Sequence, residues 1–198
     1  MLVWDPTYTL ILASASPQRR AILEQLGIAH EVRPTAVTEL EDGDAFGVAQ
    51  ENALRKLNAA RAALADAERP HAVVLACDTV VALGANVYGK PAGEAQARAH
   101  LAALAGTTHH VLGAVAIGAP DGRVLERTDV TAVTFAALTS AQIEDYCALG
   151  EWQGRAGGYA IQGRGAALIE RIDGDYLNVV GLPVPALRDL VHGLVPPF

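Results

Sequence analysis

The chain has 198 residues, a formal net charge of −7, and 51% hydrophobic residues with aromatics at only 5%. That length sustains one domain, or one domain in two lobes, with a core packed on Leu, Val and Ala. The acidic balance excludes the basic surface that nucleic-acid and polyanionic-membrane binders carry, so attraction for a polyphosphate must come from a few local cations. Cys77 and Cys147 stand apart with no C-x-x-C spacing, as in a reducing compartment. Leu10–Ala13 is too short for a signal-peptide core and lacks a basic flank, and no apolar run approaches the ~18 residues of a spanning helix. The expectation is a cytoplasmic protein with neither a nucleic-acid nor a membrane partner.

Leu10–Ala13 reads as a short strand running into a helix. Ser16 suits the N-cap, Pro17 the first helical position, and Ile22, Leu23 and Leu26 continue at helical spacing. Backbone N–H groups, the hydroxyls of Ser14 and Ser16, and the guanidinium groups of Arg19 and Arg20 converge there, which suits a phosphate. Arg19 shares the apolar face of that helix. Either it serves an anion site, or its stem lies along apolar surface while its head reaches solvent or a structural carboxylate.

A short strand near Glu31–Arg33 and a loop over 35–44 come next. Phe46, Ala49, Ala53, Leu57, Ala60 and Leu64 then mark a long amphipathic helix. Lys56 lies at the margin of that stripe and Glu39 in the preceding loop. Each is ordinarily a solvated charge. Lys56, Lys90 and Arg19 together can surround a triphosphate, and Glu39 can bridge a metal to phosphate oxygens. Ala72–Cys77 is a continuous apolar run, as in a strand covered on both faces. Asp78-Thr79 follows at its C-terminal end, where open α/β sheets build ligand sites. An aspartate there holds a divalent cation, activates water, or simply caps a turn.

Gly84-Ala85-Asn86 marks a turn between two short strands, and Gly89-Lys90-Pro91 leads into a helix from Glu94 to Leu104. Val111–Ile117 and Arg127–Ala137 flank the turn Ala119-Pro120-Asp121-Gly122 and predict an antiparallel pair. A helix follows Thr139-Ser140, with Ser140 placed to cap it. The glycine-rich stretch 154–165 is a candidate functional loop, and a strand over Ala166–Ile172 precedes a last helix with Val184, Leu187, Leu190 and Val191. Gln162, within that loop, both donates and accepts, which suits reading the edge of a base. The sum is an α/β fold with a mixed sheet, without repeats or linkers. No G-x-x-x-x-G-K-[ST] is present, and Gly163-Arg164-Gly165 lacks the third glycine of a dinucleotide fingerprint. Neither cysteine has an arginine at phosphatase spacing. His109 and His110 point to opposite faces of a strand and cannot ligate one metal as a pair.

Leu12–Arg20, the helix with Lys56, Cys77-Asp78-Thr79-Val80-Val81, Gly89-Lys90-Pro91, Ala156–Gly163 and Val180-Gly181-Leu182-Pro183 occur in the order seen in the Maf family, which the chain resembles over nearly its whole length. The resemblance implies a single domain over 1–198, with a mixed, partly antiparallel twisted sheet, flanking helices, and two lobes around a central cleft. It implies a nucleoside triphosphate pyrophosphatase that cleaves between the α and β phosphates with a divalent metal, magnesium or manganese. Arrest of septum formation, nucleotide-pool sanitation and a homodimer are implied with it. Carried onto this sequence, Asp78 is the base and metal-linked carboxylate, and Glu39 the second acid and metal ligand. Ser14, Arg19, Lys56 and Lys90 form the phosphate clamp, Ser16 and Gln18 lie in the substrate-binding motif, and Thr79 and Gln162 select the substrate. The Ala156–Gly163 sequence resembles the branch acting on dTTP and UTP. That branch has arginine where this chain has Gln18, so a 7-methyl-GTP or broader specificity is the alternative. A nucleotide-binding regulator without turnover, or a cell-division protein working through its surface, are the rivals from other classes.

Overall fold

The computed structural model describes residues 4–194; the ends of the domain expected over 1–198, residues 1–3 and 195–198, lie outside the described residues. The strands are β1 (Thr9–Leu12), β2 (His30–Val32), β3 (Ala72–Leu83), β4 (Asn86–Tyr88), β5 (Thr108–Gly118), β6 (Val124–Phe135) and β7 (Ile169–Asp173). The helices are α1 (Pro17–Gln25), α2 (Ala45–Ala62), α3 (Glu94–Leu104), α4 (Ser140–Ala148), α5 (Tyr176–Val180) and α6 (Val184–Leu194). One sheet runs β2-β1-β3-β5-β6-β7, with β4 added to β3. β1 is parallel to β2 and β3, and all other pairs are antiparallel. The sheet is therefore mixed, as expected.

Side chains alternate across a strand, and that alternation splits the core into two layers. Leu10, Leu12, Val73, Leu75, Cys77, Val115 and Ile117 face α1 and α6. Ile11, Ala13, Val74, Ala76, Val80, Ala114 and Ala116 face α2. A third cluster packs Val81, Val111, Val133 and Phe135 against α3, α4 and Tyr159, and makes the second lobe. Among the described residues, no helix is long and apolar enough to cross a membrane.

Several expectations are revised. β3 does not stop at Cys77 but continues to Leu83, because β5 pairs with it without a break from Val74 to Ala82. Asp78 is thus mid-strand, not at a strand end. The other edge of β3 is shared: β1 pairs with it as far as Leu75, and β4 takes over only at Val81. Between those partners the backbone edge lies open beside Asp78. The N-cap of α4 is Thr139, not Ser140, because Thr139 and Gln142 form a reciprocal capping box. Residues Gly163–Leu168 wind as a 3₁₀ segment before β7, so the strand starts later than predicted. Short α5 was not foreseen; Asn178 anchors it by donating to Val111 O and Thr131 Oγ1, each at 3.0 Å.

Gly113 makes that anchorage fit, since a Cβ there would lie 1.9 Å from Asn178 Oδ1. Gly113→Ala is expected to destabilise the fold by about 2 kcal/mol through overpacking, read as a lower denaturation midpoint. An unchanged midpoint would show that α5 moves aside freely. In the second lobe His109 is fully buried, its Nε2 lies 2.8 Å from Tyr159 Oη, and its ring meets Phe135 and Tyr159 edge-on. Burial, reinforced by His110, pushes this imidazole from 6.5 down to about 4. Between those values the unfolded chain binds a proton that the native state does not, so stability rises with pH across that window. His109→Phe should flatten the rise in a series of denaturant titrations, and an undiminished slope would assign it to other groups.

Candidate active site

The open stretch of β3 forms the floor of a cleft of about 860 Å³, within the roughly 300–1,000 Å³ of small-molecule sites. Alternation along β3 sends Asp78 to the α2 face and Thr79 to the α1 face, so one dipeptide serves both walls.

On the α1 side, Ser16 caps the helix and accepts from Arg19 N, with Pro17 in the first turn, as the sequence predicts. The same Ser16 hydroxyl donates to Gln18 Oε1 at 3.2 Å, and Ser16 N donates to Ser14 Oγ at 3.2 Å. Arg19 is buried and its fork is fully directed. Nε donates to Gly181 O at 2.9 Å, Nη1 to Ser14 Oγ at 2.9 Å, and Nη2 to Thr79 Oγ1 at 3.0 Å. None of these partners is a carboxylate. The cation is fixed yet not neutralised, as an anion site requires.

On the α2 side, Lys56 and Glu39 are not the solvated charges that their positions ordinarily make them. Lys56 Nζ lies 2.6 Å from Asp78 Oδ1 and 2.7 Å from Glu39 Oε1, with the Lys56 and Asp78 side chains only 9% and 7% exposed. Lys90 Nζ approaches Glu39 Oε2 at 3.6 Å from the more exposed rim. Burial pushes the Glu39 carboxyl up, but hydrogen bonding and charge from Lys56, then Lys90, outweigh it and hold the group below the usual carboxylate value. Neighbouring Cys77 faces the opposite core, where burial pushes its thiol up to about 11, so it supplies no nucleophile.

The structure therefore brings Ser14, Ser16, Gln18, Arg19, Glu39, Lys56, Asp78, Thr79 and Lys90 to one cleft. Gln162 is different: it is exposed and does not line the cleft. Glu151 draws the following segment away, its carboxylate accepting from Arg164 N and Gly165 N at 3.0 Å each. The glycine-rich loop instead presents Gln153, Gly154, Arg155, Ala156 and Tyr159. The stretch from Gly154 is expected as a functional loop, though not these side chains individually. Gln153 just before it and Asn52 lie outside the sequence expectations, and Asn52's signal is its place one turn before Lys56 on the same helix face.

The donor set fits magnesium or manganese. Two carboxylates converge within reach of one Lys56 ammonium, and such hard cations commonly take one or two carboxylates, completing their shell with phosphate and water. Among the described residues no cluster of three or more His, Cys, Asp or Glu makes an all-protein cage.

Residues 9–194 match the family model of Maf-like proteins. A dTTP/UTP pyrophosphatase of Gloeobacter violaceus is 46% identical over 190 residues, covering 93% of this chain and 95% of that protein. A dTTP/UTP pyrophosphatase of Deinococcus radiodurans is 44% identical over 186 residues, covering 93% and 92%. The solved structure of the Staphylococcus aureus Ham1 protein superposes with a TM-score of 0.54 at 17% identity, covering 93% of this chain and 98% of that one, and so shares the fold.

Arg19→Lys keeps the charge but cannot reproduce a three-pronged fork. Its affinity for inorganic tripolyphosphate, measured by calorimetry, should fall about tenfold, the worth of one charge-assisted hydrogen bond. Wild-type affinity would remove Arg19 from the anion site.

Proposed function

Because the chain belongs to the Maf family, we propose that it is a nucleoside triphosphate pyrophosphatase, releasing a nucleoside monophosphate and pyrophosphate. The observation that carries this reading is the cleft itself. A buried aspartate and a fixed, unneutralised arginine face it from opposite sides of one strand.

The chemistry follows from these positions. Attack of water on the α phosphate needs a base, and positive charge must meet the non-bridging and leaving oxygens. Asp78 orients the water and takes its proton. Arg19, with the hydroxyls of Ser14 and Thr79 on its fork, holds phosphate oxygens from the α1 side. Lys56 and Lys90 face them from the other side and neutralise charge on the departing pyrophosphate. Asp78 and Glu39 are the residues that would hold a magnesium or manganese ion, which supplies Lewis-acid charge on the phosphate oxygens when bound. No covalent nucleophile is needed.

The pyrimidine preference comes from the two relatives described as dTTP/UTP pyrophosphatases. Gln18 and Thr79 line this cleft and are the selecting residues we propose. Gln162 is not assigned that role, because it lies outside the lining.

Product analysis across canonical, 7-methylated and 5-modified triphosphates should give monophosphate and pyrophosphate, fastest with dTTP and UTP. Activity centred on purines would overturn the pyrimidine preference. Absence of pyrophosphate from every nucleotide would favour a binding protein without turnover. Asp78→Asn should fold normally while turnover falls roughly 10²–10⁴-fold, the range of a lost general base. Wild-type turnover in that variant would end the assignment.

A further inference from the structure

We propose that Asn52 is a positioning residue that fixes the two carboxylates of the site relative to one another, a role that rests on the pyrophosphatase reading. Asn52 is buried, 2% exposed, on α2 one turn before Lys56. Its carboxamide makes three directed hydrogen bonds. Oδ1 accepts from Leu40 N at 2.7 Å, and Nδ2 donates to Leu40 O at 3.0 Å and to Asp78 Oδ2 at 3.3 Å.

The first two bonds engage both backbone polar groups of one residue, as a neighbouring strand would. Leu40 directly follows Glu39, and residues 34–44 form neither helix nor strand. Arg55 adds one exposed bond to Thr38 O at 3.0 Å, so among the described residues Asn52 is the buried side chain that ties this loop through its backbone. The third bond occupies Asp78 Oδ2 and leaves Oδ1 to Lys56. One neutral group thereby sets the reach of Glu39 and the rotation of Asp78. A charged residue in its place would compete with Lys56 for the carboxylates. A carboxamide bonds to Asp78 and to the Leu40 backbone beside Glu39 without adding charge.

The test uses the full chain with Asn52→Leu, which keeps the branched heavy-atom shape, fills the space and loses all three bonds, beside Asn52→Ala, which loses both the filling and the bonds. Each variant is melted, treated with a glutamyl endopeptidase, and assayed for pyrophosphate release. With positioning at stake, both variants melt cooperatively, and cleavage after Glu39 speeds up about tenfold as the loop opens locally. Turnover should fall about 10²-fold with KM changed far less, the cost of a misplaced reacting group. Recovery of wild-type turnover and protection by Asn52→Leu would show that the residue merely fills space, and would overturn the proposal. Should the wild-type chain release no pyrophosphate, the functional reading fails, and unchanged cleavage in both variants would then sink the tie as well.

Discussion

The site exists because β3 is longer than its partners on one edge. β5 satisfies one edge from Val74 to Ala82 without interruption, which carries the strand through Asp78. On the other edge the chain of β1 turns away after Leu12 to begin α1, and β4 pairs only from Val81 onward. A strand edge that no neighbour covers would ordinarily be a liability. Here α1 on one side and α2 on the other overhang it, and the open interval becomes a cleft floor. That arrangement places Arg19 from α1, Lys56 and Asn52 from α2, and Asp78 and Thr79 from the strand itself, while the flanking loops bring Ser14, Glu39 and Lys90.

Electrostatics then divide the cleft. Arg19 is held by a hydroxyl pair and a carbonyl, partners that fix direction without cancelling charge. Lys56 is held by two carboxylates, partners that cancel its charge and allow its burial. One wall is therefore preorganised for an anion, while the other is a compact group of opposite charges that a phosphate and its counter-cation can reorganise. Both kinds of partner agree with a site that gathers a polyanion and attacks it with water, in a protein whose overall field is repulsive.

How much of this was readable in the sequence depends on the range of the deciding contacts. Ser16, Pro17 and Arg19 were legible because capping and face are local properties of one helix. Asp78 and Thr79 were legible as polar residues ending an apolar run, although the strand continued beyond them, since Val80–Leu83 read equally well as a separate short strand. Lys56 and Glu39 looked solvated because their burial depends on a loop without regular structure folding back over α2, held by Asn52. Gln162 looked like a base reader because nothing nearby in sequence reveals that Glu151 grips the next backbone segment, with Gly163 turning at φ 76°. The 3₁₀ segment before β7 hid for the same reason.

The bond from Arg19 Nε to the carbonyl of Gly181 spans 162 residues. Gly181 adopts φ 135°, ends α5, and delivers that carbonyl from a helix pinned by Asn178 to the far strands. During synthesis, Ser14, Arg19, Lys56 and Asp78 leave the ribosome about a hundred residues or more before this brace. A chain cut before Gly181 would carry most of the named side chains, with the guanidinium on Ser14 and Thr79 but without the bond that fixes its Nε edge. Contacts at the two ends of the sequence order thus meet at one guanidinium, and the first helix is aimed in part by the turn that closes α5.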